Sequence, residues 1–212
     1  MNWKSKKLSR LWVVAAAGLG ALAAAPARAN PMLPPTADYI ADVEITRDSD
    51  HAVRTPARYV VVGRKLSVAY NSLVTLVDLD RKQFEIMIPR VKVYAKAQAI
   101  KGAADDSRRW TGVQAEKADY LATEQMLGRD VRRYRVAGKV FDTDSPFEGD
   151  VWTTAENIVV KIDGTSKVGN VATPLQVTTL QLVVGSIDPA LVNVPPDFRH
   201  AAAKEVYSDD DR

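Results

Sequence analysis

Few residues of this 212-residue chain have the types and spacing that catalysis requires. The two histidines, His51 and His200, stand among polar or terminal residues, which is typical of surface histidines. The chain has no cysteine, which excludes disulfides, thiolate metal sites and cysteine nucleophiles. A Gly-x-Ser-x-Gly elbow, a His-Glu-x-x-His helix and a phosphate-binding glycine loop are also missing. The sequence therefore predicts a protein that is not an enzyme and has no cofactor.

Two groups of carboxylates each allow two interpretations. The first group has four carboxylates within nine residues: Asp142, Asp144, Glu148 and Asp150. This density suits a flexible loop that binds calcium. Pro146 and Phe147 stand where an EF-hand needs a ligand and a glycine, so an exposed acidic loop is favoured. Asp78 and Asp80 flank a turn, where aspartate hydrogen-bonds its own backbone, and this is favoured over a catalytic pair.

Four arginines cluster on one predicted hairpin, at Arg129, Arg132, Arg133 and Arg135. Period-two alternation places Arg133 and Arg135 on one face of the strand with Val131, and Arg132 on the other face with Tyr134. Such a patch suits an anionic lipid head group or an acidic partner. A solvated strand whose charges discourage edge-to-edge pairing is the favoured alternative.

Residues 1–29 have the pattern of an export signal. An uncharged, alanine-rich stretch from Leu11 to Ala25 follows a basic head and precedes Ala27-Arg28-Ala29, which supplies the small residues that a signal peptidase reads. The apolar run is too short for a membrane span, which needs about 20 residues. We expect cleavage between Ala29 and Asn30, a mature chain without a transmembrane segment, and a periplasmic location. Export without cysteines is compatible with the periplasm.

The mature chain is predicted to form one domain. Residues 1–29 hold five basic and no acidic residues, so their removal changes the net charge from +3 to −2 and leaves no basic footprint for nucleic acid. Three segments follow the signal: a proline-rich lead-in at 30–38, a β domain at 39–200 and a polar, acidic tail at 201–212.

Period-two alternation dominates from residue 39 onward and predicts about ten short strands. Turns between them are short, so the strands should form an antiparallel meander with one buried face. The segment Ala95–Asp119 is rich in alanine and charge and predicts short helices or an inserted loop that covers this face. The segment Gly164–Pro174 is predicted to be a long, turn-rich connection. The expected fold class is mostly β, a single antiparallel sheet with a short helical or loop cover.

Several segments occur in an order known from one family. Six segments resemble, in their order, exported bacterial domains that are themselves similar to the LolA-like group. These segments are 39–46 (YIADVEIT), 77–82 (VDLDRK), Met87-Ile88-Pro89, 127–131 (LGRDV), Val151-Trp152 and the C-terminal segment 187–198. That group includes the periplasmic lipoprotein carriers and the RseB-type sensor domain. The resemblance implies a strongly curved, unclosed half-barrel whose concave side holds acyl chains in the carriers. The carriers begin with an amphipathic helix, which prolines 31, 34 and 35 exclude here.

Nine apolar or aromatic positions are candidates to line a ligand cavity: Val43, Ile45, Leu66, Val68, Tyr70, Leu76, Phe84, Ile86 and Trp152. The same residue types build a packed core, so the sequence leaves both interpretations open. The favoured function is a periplasmic binding protein for an apolar ligand, namely the acyl chains of a lipid or lipoprotein, in envelope maintenance. The alternative is a protein-interaction or envelope-sensing module with a filled core and an envelope protein as partner.

Overall fold

The computed structural model of the protein describes residues 33–46, 54–97, 112–140, 144–168 and 171–202. In these ranges the chain forms two short 3₁₀ turns, Pro89–Val91 and Pro189–Val192, and twelve strands. The strands are β1 (Tyr39–Thr46), β2 (Arg54–Val62), β3 (Lys65–Tyr70), β4 (Leu73–Asp78), β5 (Gln83–Ile88), β6 (Val93–Ala97), β7 (Val113–Met126), β8 (Arg129–Val140), β9 (Pro146–Thr153), β10 (Val159–Val168), β11 (Val171–Val184) and β12 (Arg199–His200).

All twelve strands belong to one sheet, in the order β12-β6-β5-β4-β3-β2-β1-β11-β10-β9-β8-β7. Strands β1 to β6 form one antiparallel meander and β7 to β11 form a second, and the antiparallel pairing of β1 with β11 joins them. Strand β12 extends the sheet by a short parallel pairing with β6. The two edges, β7 and β12, do not pair with each other, which confirms a mostly β fold with a single unclosed sheet.

Two sequence predictions about local structure are wrong. The described ends of Ala95–Asp119 are strand, in β6 and β7, because pairing with β5 and β8 outweighs the weak local preference of their alanines and charges. Residues 98–111 of that segment lie outside the described residues. Gly164 and Pro174 also lie in paired strands, and Thr165 faces Pro174 in the β10–β11 ladder. Pro174 is tolerated because β1 ends its pairing with β11 at Gln176.

The two faces of the sheet differ in burial. We call the face that carries Tyr39, Ala41, Val43 and Ile45 the inner face, and the opposite side the outer face; in β1 these inner residues alternate strictly with half-exposed ones. The strand register shows that the inner face extends across the sheet. This face includes two apolar clusters, one around β1 to β5 and one around β8 to β11, and Val177 packs against both.

The sheet buries this inner face by curving around it. The described residues supply no second sheet and no α-helix to cover the inner face, so burial of the clusters requires curvature. Four β-bulges lie in the ladders of β11, β10 and β7, and bulges bend strands and increase their twist. This agrees with the curved, unclosed sheet that the sequence predicts.

The chain after β11 packs on the outer face of the first meander. Ile187 and Val192 contact Val60, and Lys65 donates to Asn193 Oδ1 at 2.7 Å. Asp188 caps the 3₁₀ turn by accepting from Ala190 N at 2.9 Å. No helix in the part of the chain that the structure describes is long and apolar enough to cross a membrane.

A pair of glycines sets the close approach of β9 and β10. Gly149 faces Gly164 across the ladder, and the Phe147 ring lies over both. A Cβ on Gly164 would stand 2.5 Å from the Glu148 carbonyl oxygen and 2.7 Å from the Phe147 ring. Only glycine therefore fits these two positions without moving backbone.

We expect Gly164→Ala to lower the free energy of unfolding by about 1–3 kcal/mol, because the added methyl group would be too close to the backbone of Glu148. Lys167→Ala, at an exposed position of the same strand, should change it by less than about 0.5 kcal/mol. Urea unfolding followed by circular dichroism measures both. Equal stability of the two variants would contradict the close approach.

Candidate functional site

Seven of the nine candidate ligand-binding residues share the inner face. Val43 and Ile45 lie on β1, and the register through β2 to β5 carries the same face to the other five: Leu66, Val68, Tyr70, Phe84 and Ile86. They come from three strands of the first meander, β1, β3 and β5. The structure thus brings these seven together on one surface.

The seven differ in exposure. Val43, Ile45 and Leu66 are buried, whereas Val68, Phe84 and Ile86 are half-buried and Tyr70 is 37% exposed. Tyr59 and Leu73, which the sequence analysis did not select, are half-buried neighbours on the same face. Tyr59 precedes three consecutive valines and Leu73 begins a continuous apolar run, so neither shows a clear period of two. We call the six residues that are not fully buried the inner apolar patch: Tyr59, Val68, Tyr70, Leu73, Phe84 and Ile86.

Leu76 and Trp152 lie on the outer face, away from the other seven. Leu76 faces Ser67 and Glu85 across its two ladders, and it is 4% exposed. The continuous apolar run of β4 hides which of its residues point inward. Trp152 packs with Val131 and Val160 in a separate small cluster.

Trp152 is the centre of a polar network on the outer face. Its indole Nε1 donates to Glu124 Oε2 at 2.9 Å. The Arg133 guanidinium lies 5.0 Å from the ring centroid and Lys161 Nζ lies 4.5 Å from it, both within cation–π range. The hydrogen bond from Trp152 is the largest cause that holds the pKa of Glu124 below its ordinary value. The hydrogen bond and charge of Arg133 and the charge of Lys161 lower this pKa further.

Asp150 connects this network to the next arginine. Its carboxylate accepts from Arg133 Nε at 2.8 Å and also from Arg135 Nε. Burial alone would raise the pKa of Asp150, but the hydrogen bonds and charges of the two arginines outweigh it, so the pKa is lowered. Asp150 is therefore committed to arginines. No group of three or more metal-ligating side chains occurs among the described residues, and Asp142 of the acidic loop lies outside them.

The remaining candidates for chemistry have structural partners. Asp78 accepts from Arg81 N at 2.9 Å, as expected at a turn, whereas Asp80 pairs with the Arg64 side chain at 2.7 Å. His200 packs edge-on against Tyr94, with ring centroids 5.2 Å apart. His51 lies outside the described residues.

The predicted division of the β8 arginines between two faces is confirmed. Arg133 and Arg135 both reach outer-face Asp150, whereas Arg132 faces Thr123 and Thr153 on the inner side and hydrogen-bonds the Tyr134 hydroxyl. Burial raises the pKa of Tyr134, and the bond from Arg132 opposes this shift without cancelling it. The inner face thus carries one cation beside its second apolar cluster.

Fold and surface together define an open, single-sheet β protein with an apolar inner face. No protein-family model and no curated protein matches the chain. Solved structures do. The chain is similar to PNGF-II, with 11% identity, a TM-score of 0.41, and 82% of this chain and 32% of that chain covered. It therefore spans about a third of the length of PNGF-II.

Two further structures come from bacteria. The chain is similar to a LolA superfamily protein from Nitrosomonas europaea, with 9% identity, a TM-score of 0.37, and 76% and 92% of the two chains covered. It is also similar to a DUF1329 family protein from Desulfovibrio piger, with 10% identity, a TM-score of 0.35, and 76% and 91% covered. A protein of the LolA superfamily, the group to which the resembled family is itself similar, is thus among the solved structures that the chain is similar to.

We expect Asp150→Asn to lower the free energy of unfolding at pH 7 by about 1–3 kcal/mol, because it removes the charge that two arginines share. The folded-state pKa of Asp150 is lowered, so this contribution is present above the unfolded pKa of about 3.9 and is lost as the pH falls through the folded value. The stability difference between wild type and variant should therefore shrink below about pH 4.

The matched control is Asp163→Asn. Asp163 faces Asp150 across the β9–β10 ladder, but its side chain is 44% exposed. It pairs with Lys161 at 3.6 Å and accepts a hydrogen bond from Gln176 Nε2 at 3.3 Å. Its loss should cost less than about 0.5 kcal/mol. Urea titrations at several pH values measure both variants. A pH-independent effect of Asp150→Asn would argue against the ionic network.

Proposed function

We propose that this protein is an exported periplasmic binding protein for an apolar ligand, namely the acyl chains of a lipid or lipoprotein, and that it acts by binding and not by catalysis. The observation that supports this most is the inner apolar patch, whose six residues remain partly exposed on the face that the sheet curves around. A contiguous apolar surface of this kind is typical of ligand sites.

The patch is contiguous because its members are ladder neighbours. Tyr59 faces Val68, Tyr70 faces Leu73, and Thr75 lies between Val68 and Ile86. Buried Val43 and Leu66 adjoin it and form its floor. An acyl chain on this surface would gain about 0.8 kcal/mol per buried CH₂. Ten such groups would give about 8 kcal/mol before ordering costs, which corresponds to roughly micromolar binding at best.

The alternative function is a protein-interaction or envelope-sensing module whose inner face is filled by its own side chains. The burial of Val43, Ile45 and Leu66 within the β1–β5 cluster favours this alternative at the floor of the patch. The two functions differ at the rim, where Val68, Phe84 and Ile86 stay half-buried. Substitutions at the rim therefore separate them.

We expect Val68→Asp to abolish lipid carried by the purified protein, because the carboxylate would have to lose its hydration under an acyl chain. Val74→Asp is the matched control, since Val74 is also half-buried, lies on the neighbouring strand and points to the outer face. Native mass spectrometry of protein purified gently from the periplasm measures bound lipid, and circular dichroism measures the fold.

Two results would overturn the carrier proposal in favour of the filled core. The first is wild-type protein that carries no lipid and binds neither fatty acid nor phospholipid. The second is unfolding by Val68→Asp under conditions in which Val74→Asp stays folded, because a packed core cannot accommodate an unpaired charge.

Export is part of the proposal and depends on residues 1–29, which lie outside the described residues. We expect protein recovered from the periplasm to begin at Asn30, because Ala27-Arg28-Ala29 has the pattern of a signal-peptidase site. Intact-mass measurement distinguishes the processed chain from the precursor. Full-length precursor stably held in the membrane would contradict a soluble exported protein.

A further inference from the structure

Arg132 differs from the other arginines of β8 in having no acidic partner among the described residues. Arg129 pairs with Glu156 at 3.8 Å, Arg133 pairs with Glu124 and Asp150, and Arg135 pairs with Asp150. None of the ion pairs among the described residues includes Arg132. The Tyr134 hydroxyl, which interacts with Arg132 on the same face of β8, is a neutral group that cannot balance the charge.

The surroundings of Arg132 are rich in hydroxyl groups. Arg132 is half-buried between Thr123 of β7 and Thr153 of β9, and Thr153 is 2% exposed. Thr123 shares a 2.9 Å hydrogen bond with the hydroxyl of Tyr120, whose ring packs edge-on against Tyr134. A half-buried guanidinium is costly without a counter-charge. Hydroxyl groups around a cation can donate to an oxyanion that the cation attracts.

A second polar group on the inner face also lacks a partner. Thr179 of β11 is 4% exposed and faces Val43, and its Oγ1 has no hydrogen-bond partner among the described residues. Thr153 faces Val159 of β10, and a register shift separates this pair from the pairs that Lys161 forms with Trp152 and Thr178. Thr153 also faces Arg132, so Thr179 lies on the same face as Arg132 but three strands away. A buried hydroxyl without a partner requires an explanation, of which a bound ligand group is one.

We propose that Arg132 binds the anionic oxygen group, carboxylate or phosphate, at the polar end of the apolar ligand. This assignment rests on the proposed function, because it makes Arg132 a specificity residue for the same inner face. The two apolar clusters both involve Val177, so the buried core of the inner face extends from the strands of the inner apolar patch to β8, the strand that carries Arg132. The ligand is therefore an anionic amphiphile and not a neutral hydrocarbon.

Two pairs of probes test whether the protein recognises an anionic group on the ligand and whether that group is a carboxylate or a phosphate. Palmitate is compared with hexadecanol, and dihexanoyl phosphatidic acid with dihexanoylglycerol, by isothermal titration with the mature chain. We expect wild type to prefer the charged member of at least one pair by about ten- to a hundredfold, the range for a charge-assisted hydrogen bond. The pair that shows the preference tells carboxylate from phosphate.

Three variants assign the preference to Arg132. Arg132→Gln should bind charged and neutral members equally, with unchanged affinity for the neutral one, and Arg132→Lys should restore part of the preference. Arg135→Gln is the matched control, because Arg135 lies on the same strand but points to the outer face. Its preference should equal that of wild type.

Each failure has a distinct meaning. Equal binding of charged and neutral probes by wild type, or a preference that Arg132→Gln retains, overturns the role of Arg132 and leaves the apolar-ligand function intact. Absence of binding by every amphiphile overturns the proposed function. In that case inorganic phosphate decides the inference: a rise in melting temperature that Arg132→Gln abolishes supports an anion site, and no rise overturns it.

Discussion

The apolar inner face has to be removed from water by the very sheet that carries it. Among the described residues no second layer covers most of this face, so curvature is the physical means of burial. Bulges in β7, β10 and β11 provide bending, and the glycine pair Gly149 and Gly164 lets two strands approach under Phe147. A sheet that curves without closing leaves its floor buried and its rim half-exposed. The inner apolar patch follows directly from that geometry.

The outer face is stabilised in a different way. It carries the charged residues of the strands, and around Trp152 these form a network in which Glu124 and Asp150 satisfy the indole and two arginines. The segment after β11 covers the outer side of the first meander through Ile187 and Val192. Apolar burial on one side and satisfied charge on the other give the two faces separate roles. Arg132 does not follow this division, because it places a cation on the apolar side.

The sequence predicted those parts of the structure that depend on a clean period of two. The alternation in β1 identified Val43 and Ile45 as inward, and the alternation in β8 separated Arg132 from Arg133. It failed where the pattern is continuous, since the apolar run of β4 does not reveal that Leu76 points outward. It also failed for Trp152, because a large aromatic residue in a strand gives no sign of which face buries it.

Other errors came from treating local composition as decisive. Gly164 and Pro174 look like turn residues, but the glycine is required by a close strand contact and the proline lies beyond the β1 ladder. The alanines and charges at the ends of 95–119 are strand because their neighbours offer backbone hydrogen bonds. Such long-range pairings are set by the whole sheet, so no short window of sequence contains them.

The joining of β1 to β11 has a consequence for the order of folding. A chain synthesised from its N-terminus delivers β1 early, and β2 can pair with it at once, with Arg58 and Arg54 meeting Asp42 and Glu44. The other edge of β1 has no partner until β11 is available, because Tyr39 pairs with Val184 in the β1–β11 ladder. During that interval the nascent domain presents an unprotected strand edge, which attracts foreign strands. Non-local closure of this kind is slow, so this edge of β1 stays unprotected longer than the edge that pairs with β2.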